Sequence, residues 1–358
     1  MANLRRIFLS DRTALSAADQ LMKKAGIRRD PHLDYLCGIY EDSEALIAVG
    51  GCYGNTLRCF AIDPEHQGEG LLPPLLTHLI DLQQERGNIG LFLYTKPDAA
   101  RYFCDLGFYE IARAGDTLVF MENQPDGFSR CLRRLQDETD QAMRQWAGPP
   151  VPSRPSAAIV MNANPFTCGH QYLIEQAAAR ESVLHLFLVS EDVSLFPFAV
   201  RRRLVQEGIS HLPHVILHDS GPYIISQATF PSYFQKDDKA VSRGHALLDI
   251  TIFRHIAAAL GISRRYAGEE PFSAVTNLYN QVMRKELPKA GVQCTILPRL
   301  CRGQTPVSAS AVRQILKDRG PSDELSGLVP ESTLRWLRSP EAAPVLQRIA
   351  AQQDVRHH

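Results

Sequence analysis

Four prolines fall within eight residues in Gly148-Pro149-Pro150-Val151-Pro152-Ser153-Arg154-Pro155, and they decide how this chain divides. Proline fixes φ and removes an amide donor, so helix and strand both fail there and a stiff spacer results. At 358 residues the chain exceeds one average domain, and two are expected. The spacer therefore separates a first domain, residues 1–124, from a second, residues 156–320. Between them, 125–155 reads as a connector whose charged first part, 128–146, is helical. Two short helices are expected beyond 320, at 331–337 and 342–351. The sequence leaves open whether they pack on the second domain or form an oligomer contact.

Apolar runs and helical periodicities alternate through the second domain, from Ala157 to Lys317. That order predicts an α/β fold, a parallel sheet with helices on both faces and ligands at the carboxyl ends of the strands. Its opening stretch runs from Ala157-Ala158-Ile159-Val160-Met161 through Asn162-Ala163-Asn164-Pro165-Phe166-Thr167-Cys168 to Gly169-His170. This is a strand, a tight turn and a helix start. A helix start offers unpaired amides and the positive end of the macrodipole, which together favour an anion such as phosphate. Gly169 lets the backbone approach closely, and His170 stands where an imidazole meets a phosphoryl oxygen or, protonated, offsets charge on phosphorus. Read alone, the same residues are a loop histidine on an ordinary α/β domain.

Composition narrows the alternatives. Apolar residues make up 44%, charged residues 22%, and the formal net charge is zero, which gives no support for nucleic-acid or anionic-membrane binding. No apolar run approaches the roughly 20 residues that span a bilayer, and the first residues lack a signal-peptide core. Eight cysteines without Cys-x-x-Cys pairs read as mostly reduced, buried small residues, so a cytoplasmic location is expected and no metal site is assigned.

Thr167-Cys168-Gly169-His170 resembles the (His/Thr)-x-Gly-His signature of the nucleotidylyltransferase superfamily, which holds the triphosphate of ATP. Val307-Ser308-Ala309-Ser310-Ala311-Val312-Arg313 resembles its second signature, Ile-Ser-Ser-Thr-x-x-Arg, with Ala309 in place of a hydroxyl residue. By its own chemistry Ser308 can cap a helix, and Arg313 one turn on carries a fork suited to phosphate. Taken singly they are an N-cap and a surface cation. Arg201, after Phe196-Pro197-Phe198, matches an arginine that follows the second strand in several superfamily members.

The form of the first turn resembles citrate lyase ligases. So do Gly268-Glu269-Glu270-Pro271-Phe272 and the turn-rich stretch from Ser220 to Phe234, with Gly221-Pro222-Tyr223-Ile224-Ile225-Ser226 as its most specific part. This resemblance runs to about residue 340. It implies an ATP-dependent acid–thiol ligase that turns acetate into acetyl-AMP, releasing pyrophosphate. The acetyl group then passes to the thiol of the phosphoribosyl-dephospho-coenzyme A group on the citrate lyase acyl carrier subunit. In these terms His170 and Thr167 meet the α-phosphate, and Asn162 meets that phosphate or acetate. Asn164, Phe166, Gly169 and Arg201 complete the ATP-facing turn. Ser308, Ser310 and Arg313 hold pyrophosphate, Gly268 and Glu269 lie near the nucleoside, and Gly221, Tyr223 and Ser226 line the substrate loop. Mg²⁺ arrives with the triphosphate, bound through phosphate oxygens and water, with no protein ligand assigned. The attacking thiol is the carrier's, so Cys168 is a spacer residue.

In the first domain three short strands form an antiparallel meander before Gln67-Gly68-Glu69-Gly70 opens a leucine-rich helix. With Phe103-Cys104-Asp105-Leu106-Gly107-Phe108 later, this resembles the GNAT acyltransferases. Their Gln-x-x-Gly-x-(Gly/Ala) loop wraps the pyrophosphate of coenzyme A, which implies pantetheine contacts at Gln67, Gly68 and Gly70; Leu72 stands at the last small position. Three other functions fit parts of the pattern. They are an adenylyltransferase acting on phosphopantetheine or nicotinamide mononucleotide, an acetyl-CoA-dependent protein acetyltransferase working through the first domain, and a non-catalytic nucleotide sensor.

Overall fold

The computed structural model describes residues 3–146, 156–226, 230, 239–270 and 273–355. The proline-rich spacer at 148–155, positions 227–229 and 231–234 of the expected substrate loop, Pro271, Phe272 and Arg356-His357-His358 lie outside the described residues. The chain divides into two compact units, Met1–Gly127 and Phe128–His358.

In the first unit β1 (Asn3–Ile7), β2 (Tyr35–Tyr40), β3 (Leu46–Tyr53), β4 (Thr56–Ile62), β5 (Phe92–Thr95), β6 (Tyr109–Ala114) and β7 (Leu118–Glu122) form one sheet in the order β1-β2-β3-β4-β5-β7-β6. Neighbours are antiparallel except β4 and β5, which run parallel and pair only through Thr56 with Phe92 and Leu57 with Leu93. Successive side chains on a strand point to opposite faces, which gives the unit two cores. Cys37, Ala48 and Leu93 pack with Leu75, Leu76 and Leu79 of α2 (Leu72–Glu85) and Phe103 of α3 (Ala100–Cys104). Leu36 and Val49 pack on the other face with Ala18, Leu21 and Met22 of α1 (Arg12–Lys24). The sequence reading included neither β1 nor α1. β1 carries only two apolar side chains around Arg5 and Arg6, and α1 shows itself mainly by Asp11, whose carboxylate caps the amides of Thr13 and Ala14.

The second unit is a doubly wound parallel sheet. β8 (Ser156–Met161), β9 (Leu184–Leu188), β10 (Val215–Asp219), β11 (Ile262–Gly268) and β12 (Gln293–Leu297) lie in the order β10-β9-β8-β11-β12. Every neighbouring pair is parallel. The chain winds outward from β8 to β10, then returns to continue on the other side through β11. The switch point therefore falls between β8 and β11, and sheets of this kind take their ligands beyond the carboxyl ends of such strands. On one face Ile159, Leu186 and Leu188 pack with α5 (Cys168–Ala178), α6 (Phe198–Gly208) and α9 (Ala309–Arg319). On the other, Phe187 meets Phe253 of α7 (Lys239–Leu260), and Arg265 of β11 reaches Tyr279 of α8 (Ala274–Glu286).

Two flanking segments belong to this unit. The connector helix α4 (Gly127–Gln145) is pinned to β10 where Glu138 meets His218 at 2.6 Å, and Phe128 packs on Tyr223. At the other end, α10 (Glu331–Leu337) and α11 (Ala343–Ala351) place Leu334, Trp336, Leu337, Val345 and Ile349 in the same core as β8 and β9. Of the two options left open for these helices, packing is the one observed. All eight cysteines are free, but only Cys37, Cys52 and Cys131 are buried, while Cys104 and Cys301 are exposed. Among the described residues no helix is long and apolar enough to cross a membrane.

Candidate active site

The turn after β8 is built from its own side chains. Ala163 takes a left-handed conformation with φ +51°, and the buried Asn164 carbonyl oxygen Oδ1 accepts the amide of Phe196 at 3.1 Å. Phe166 is fully buried, its ring lying against Gly208, where any Cβ would overlap it, and 6.1 Å from the His170 ring at 16°. Phe166 was expected among the ATP-facing residues. Its ring is instead the floor under His170, because an apolar ring at a helix–helix contact gains most from burial.

Thr167 and His170 cap α5 reciprocally. The Thr167 hydroxyl accepts the His170 amide at 3.3 Å, and His170 Nδ1 accepts the Thr167 amide at 3.1 Å. An amide can only donate, so Nδ1 carries the lone pair and the ring proton sits on Nε2. Burial, with the guanidinium groups of Arg299 and Arg313 facing the ring, lowers the His170 pKa to about 4. The imidazole is therefore a neutral Nε2–H donor at neutral pH.

The second motif arrives at the same place. A Cβ on Gly169 would lie 2.9 Å from the carbonyl oxygen of Val307, so the start of α5 rests on the segment that opens α9. Ser308 caps α9 by accepting the Ala311 amide at 3.1 Å. Ser310 receives a long contact, 3.4 Å, from Arg313 Nη2. Arg313 is 3% exposed, and its Nε and Nη1 donate to the carbonyls of Val355 and Asn164. It is not a surface cation: it ties α9 to the turn.

Arg201 departs from expectation in the same way. With no exposed surface, it donates to the carbonyls of Phe196 at 2.9 Å, Asn162 at 2.8 Å, Val189 at 2.7 Å and Glu191 at 2.7 Å. It locks the ends of β8 and β9 together and braces the turn after β8. Asn162 faces Ser194, giving Nδ2 at 3.1 Å and receiving the serine hydroxyl at 3.3 Å. At the end of β11, the Gly268 carbonyl accepts Asn280 Nδ2 at 3.1 Å and the exposed Glu269 keeps its amide on Leu297 at 3.0 Å. No Cβ neighbour stands within 4 Å of Gly268, so space is open there.

A family model described as the citrate lyase ligase C-terminal domain matches residues 156–337. A [Citrate [pro-3S]-lyase] ligase of Klebsiella pneumoniae is 40% identical over 340 residues, 93% of this chain and 96% of that one. That of Escherichia coli K12 is 37% identical, covering 93% of each, and that of Haemophilus influenzae 36% identical, covering 92% and 96%. The chain belongs to the citrate lyase ligase family. Solved structures similar to part of it include a putative acyl-CoA N-acyltransferase from Klebsiella pneumoniae, with TM-score 0.29, 19% identity, and coverage of 34% of this chain and 96% of that one. Another is the Escherichia coli ribosomal-protein-S18-alanine N-acetyltransferase, with TM-score 0.28, 21% identity, and coverage of 34% and 92%.

The expected substrate loop lies partly within the described residues of the second unit. Tyr223, Ile224, Ile225 and Ser226 are buried, with the Ile225 amide on Asp249 Oδ1 at 2.6 Å and the Ser226 hydroxyl on the Pro222 carbonyl at 2.6 Å. The described part of the substrate loop thus packs inward, where its isoleucines and tyrosine lose water-exposed area. Gly221 stays at the strand ends, its amide on Ser190 Oγ at 3.0 Å. In the first unit Gln67, Gly68 and Gly70 are exposed, with φ +89° at Gly68 and +71° at Gly70. The helix they precede begins Leu72-Pro73-Pro74, so two of its first three positions carry no amide proton.

Two residues near the turn were absent from the sequence reading. Ser194 orients Asn162, and Arg299 faces His170 from beyond β12. Neither stands in a recognisable motif; only Arg299's place just after a strand end could have marked it. Among the described residues no group of three or more His, Cys, Asp or Glu side chains is arranged to hold a metal.

Proposed function

We propose that the site at the β8–β11 switch point activates acetate with ATP, and that the acetyl group then passes to the thiol of the citrate lyase acyl carrier's prosthetic group. As a member of its family the chain is an acid–thiol ligase that activates citrate lyase by acetylating that group, and the family is ATP-dependent. What supports placing the chemistry here is the meeting of two helix starts at Gly169 and Val307, beneath a neutral imidazole donor. Helix starts present amides and positive dipole ends to a triphosphate.

Acetate is a poor acyl donor because its leaving group would be oxide. Attack of its oxygen on the α-phosphorus of ATP expels pyrophosphate and leaves a mixed anhydride, acetyl-AMP. The carrier thiolate then attacks the acetyl carbon and AMP departs. The protein's part in the first step is positioning and charge stabilisation. His170 Nε2–H donates to an α-phosphate oxygen as charge grows there, with Thr167 holding the tautomer. Asn162, held by Ser194, orients the phosphate or the acetate. The Gly169 amide, with Ser308 and Ser310, faces the departing pyrophosphate. Gly268 and Glu269 border the nucleoside. Mg²⁺ would be held through the phosphate oxygens of ATP and water, with no protein ligand assigned.

The nucleophile belongs to the carrier. Cys168 is half-buried, its thiol pKa is raised by burial, and its amide is on the Leu328 carbonyl at 2.9 Å, all of which suit a spacer. In the first unit Gln67, Gly68 and Gly70 are the assigned contact for the carrier's pantetheine arm, supported by two open glycines ahead of α2. Free cysteines and dependence on ATP support a cytoplasmic location. Transfer to a phosphate acceptor and acetyl-CoA-dependent acetylation are not favoured, because the ligase relatives span more than nine-tenths of the chain.

Exchange of labelled pyrophosphate into ATP tests the reading. Wild type exchanges only with acetate present, and His170→Ala loses at least about 10²-fold. Exchange supported by nicotinamide mononucleotide or phosphopantetheine, but not by acetate, would overturn it.

A further inference from the structure

A triphosphate is a dense anion, and a site that binds it needs cations it can reach. Two arginines by the turn, Arg201 and Arg313, are buried and turned onto backbone carbonyls. Arg299 is placed differently. It leaves the carboxyl end of β12 two residues after Leu297, and its side chain keeps 21% of its surface exposed.

Its position is fixed from two sides. The carbonyl of the next residue, Leu300, accepts the Val307 amide at 2.8 Å, and it is the Val307 carbonyl that Gly169 rests on. Arg299 is thereby built into the same rim as the start of α5. From the other side, Arg299 Nε donates to the Glu269 carbonyl at 2.6 Å, and Nη2 pairs with the Glu270 carboxylate. The other oxygen of Glu270 accepts the amide of Ser273, the N-cap of α8, at 3.0 Å. The guanidinium is thus held against the end of β11, close enough to His170 of the turn after β8 to act on its charge.

We infer that Arg299 is a guanidinium that grips the triphosphate of ATP at this switch point, while Arg201 and Arg313 brace the turn through its backbone. A planar fork can hold a carboxylate along one edge and a phosphate along another, which a lysine cannot. Glu270 aims the fork by holding Nη2. The charged groups facing the His170 ring are Arg299 and Arg313, so Arg299 also helps keep that ring neutral. The inference rests on the adenylation reading.

The test uses the full-length chain with MgATP, comparing wild type, Arg299→Gln and Arg299→Lys by calorimetric ATP binding and by acetate-dependent pyrophosphate exchange across pH. Arg299→Gln is expected to weaken ATP binding at least about tenfold and to cut exchange by about 10²-fold. Its acid limb in kcat/KM is expected to move upward, because the lost cation lets His170 take a proton at higher pH. Arg299→Lys keeps the charge and the limb but still loses several-fold in ATP affinity. Wild-type ATP affinity in both variants, or an activity loss in Arg299→Gln with an unmoved acid limb and unchanged binding, would overturn the inference. If wild type binds ATP but shows no acetate-dependent exchange, the adenylation reading fails while the binding comparison still judges Arg299.

Discussion

Gly169 and Val307 touch through backbone alone: a side chain on the glycine would begin 2.9 Å from the valine's carbonyl oxygen. The two signature motifs of the ligase unit are thus in van der Waals contact, and the contact requires a residue without Cβ. Gly169→Ala must push α9 away from α5. We expect a stability loss of about 1–3 kcal/mol, the usual scale for overpacking. We also expect at least about a tenfold fall in acetate-dependent pyrophosphate exchange, since displaced binding groups lose catalysis steeply. Chemical denaturation and the exchange assay measure the two effects separately.

His170 carries a definite pH dependence. Its folded pKa, lowered to about 4, lies below the ordinary imidazole value near 6.5, so between those values the unfolded chain binds the extra proton. Stability rises with pH across that window, and is lost as pH falls from about 6.5 toward 4, by at most about 3 kcal/mol from this group. His185, lowered to about 3 by burial beside His218, acts in the same direction. Denaturation of wild type and His170→Gln at pH 7 and pH 4.5 isolates the share of His170. An equal loss in both proteins would contradict the assignment of a buried neutral ring.

Arg201 is expected to matter to folding before it matters to ATP. Four carbonyls lose their donor in Arg201→Ala, and buried acceptors left without partners cost about 1–3 kcal/mol each when water cannot reach them. A destabilisation of about 3 kcal/mol or more is predicted, and Arg201→Lys should recover little of it, since one ammonium cannot serve four directions. Melting curves of both variants decide this.

Residues beyond 320 are expected to be inseparable from the ligase unit. The Trp336 ring lies 5.8 Å from Phe196, beside the turn that positions Arg201. Trp336→Ala should cost about 3–5 kcal/mol, the scale for losing a buried aromatic side chain. A chain ending at Gly320 should fail to give a cooperative unfolding transition by calorimetry.

The first unit should bind coenzyme A weakly at α2, because Pro73 and Pro74 leave its first turn short of amide donors. Replacing both by alanine restores two N–H groups and should strengthen binding in a titration of the full-length chain. No binding by either protein would remove Gln67, Gly68 and Gly70 from the site.

The geometry of the turn was legible because it is local. A glycine and a histidine at a helix start, with a threonine three residues before the histidine, dictate a cap within four residues. The serine before α9 was legible for the same reason. The duties of the arginines were not, since a guanidinium takes whatever acceptors the tertiary fold supplies. Arg201 and Arg313 found buried carbonyls contributed by residues as distant in sequence as Asn164 and Val355. Arg299 had no motif to announce it, because its meaning depends on β12 lying beside β11. The inward packing of Tyr223–Ser226 was not legible for a related reason: turn-forming residues indicate a bend, and whether that bend faces solvent depends on α7 and Asp249.

The Arg313–Val355 hydrogen bond has a consequence for how this protein matures. A nascent chain still lacking its 355th residue has every motif residue already translated, yet the arginine that steadies Asn164 has no carbonyl to receive its Nε proton. Synthesis must run some 40 positions past Arg313 before the turn acquires its final brace, as residues 313 and 355 stand 42 apart. Competence to use ATP should therefore emerge late during translation, well after the sheet itself is complete.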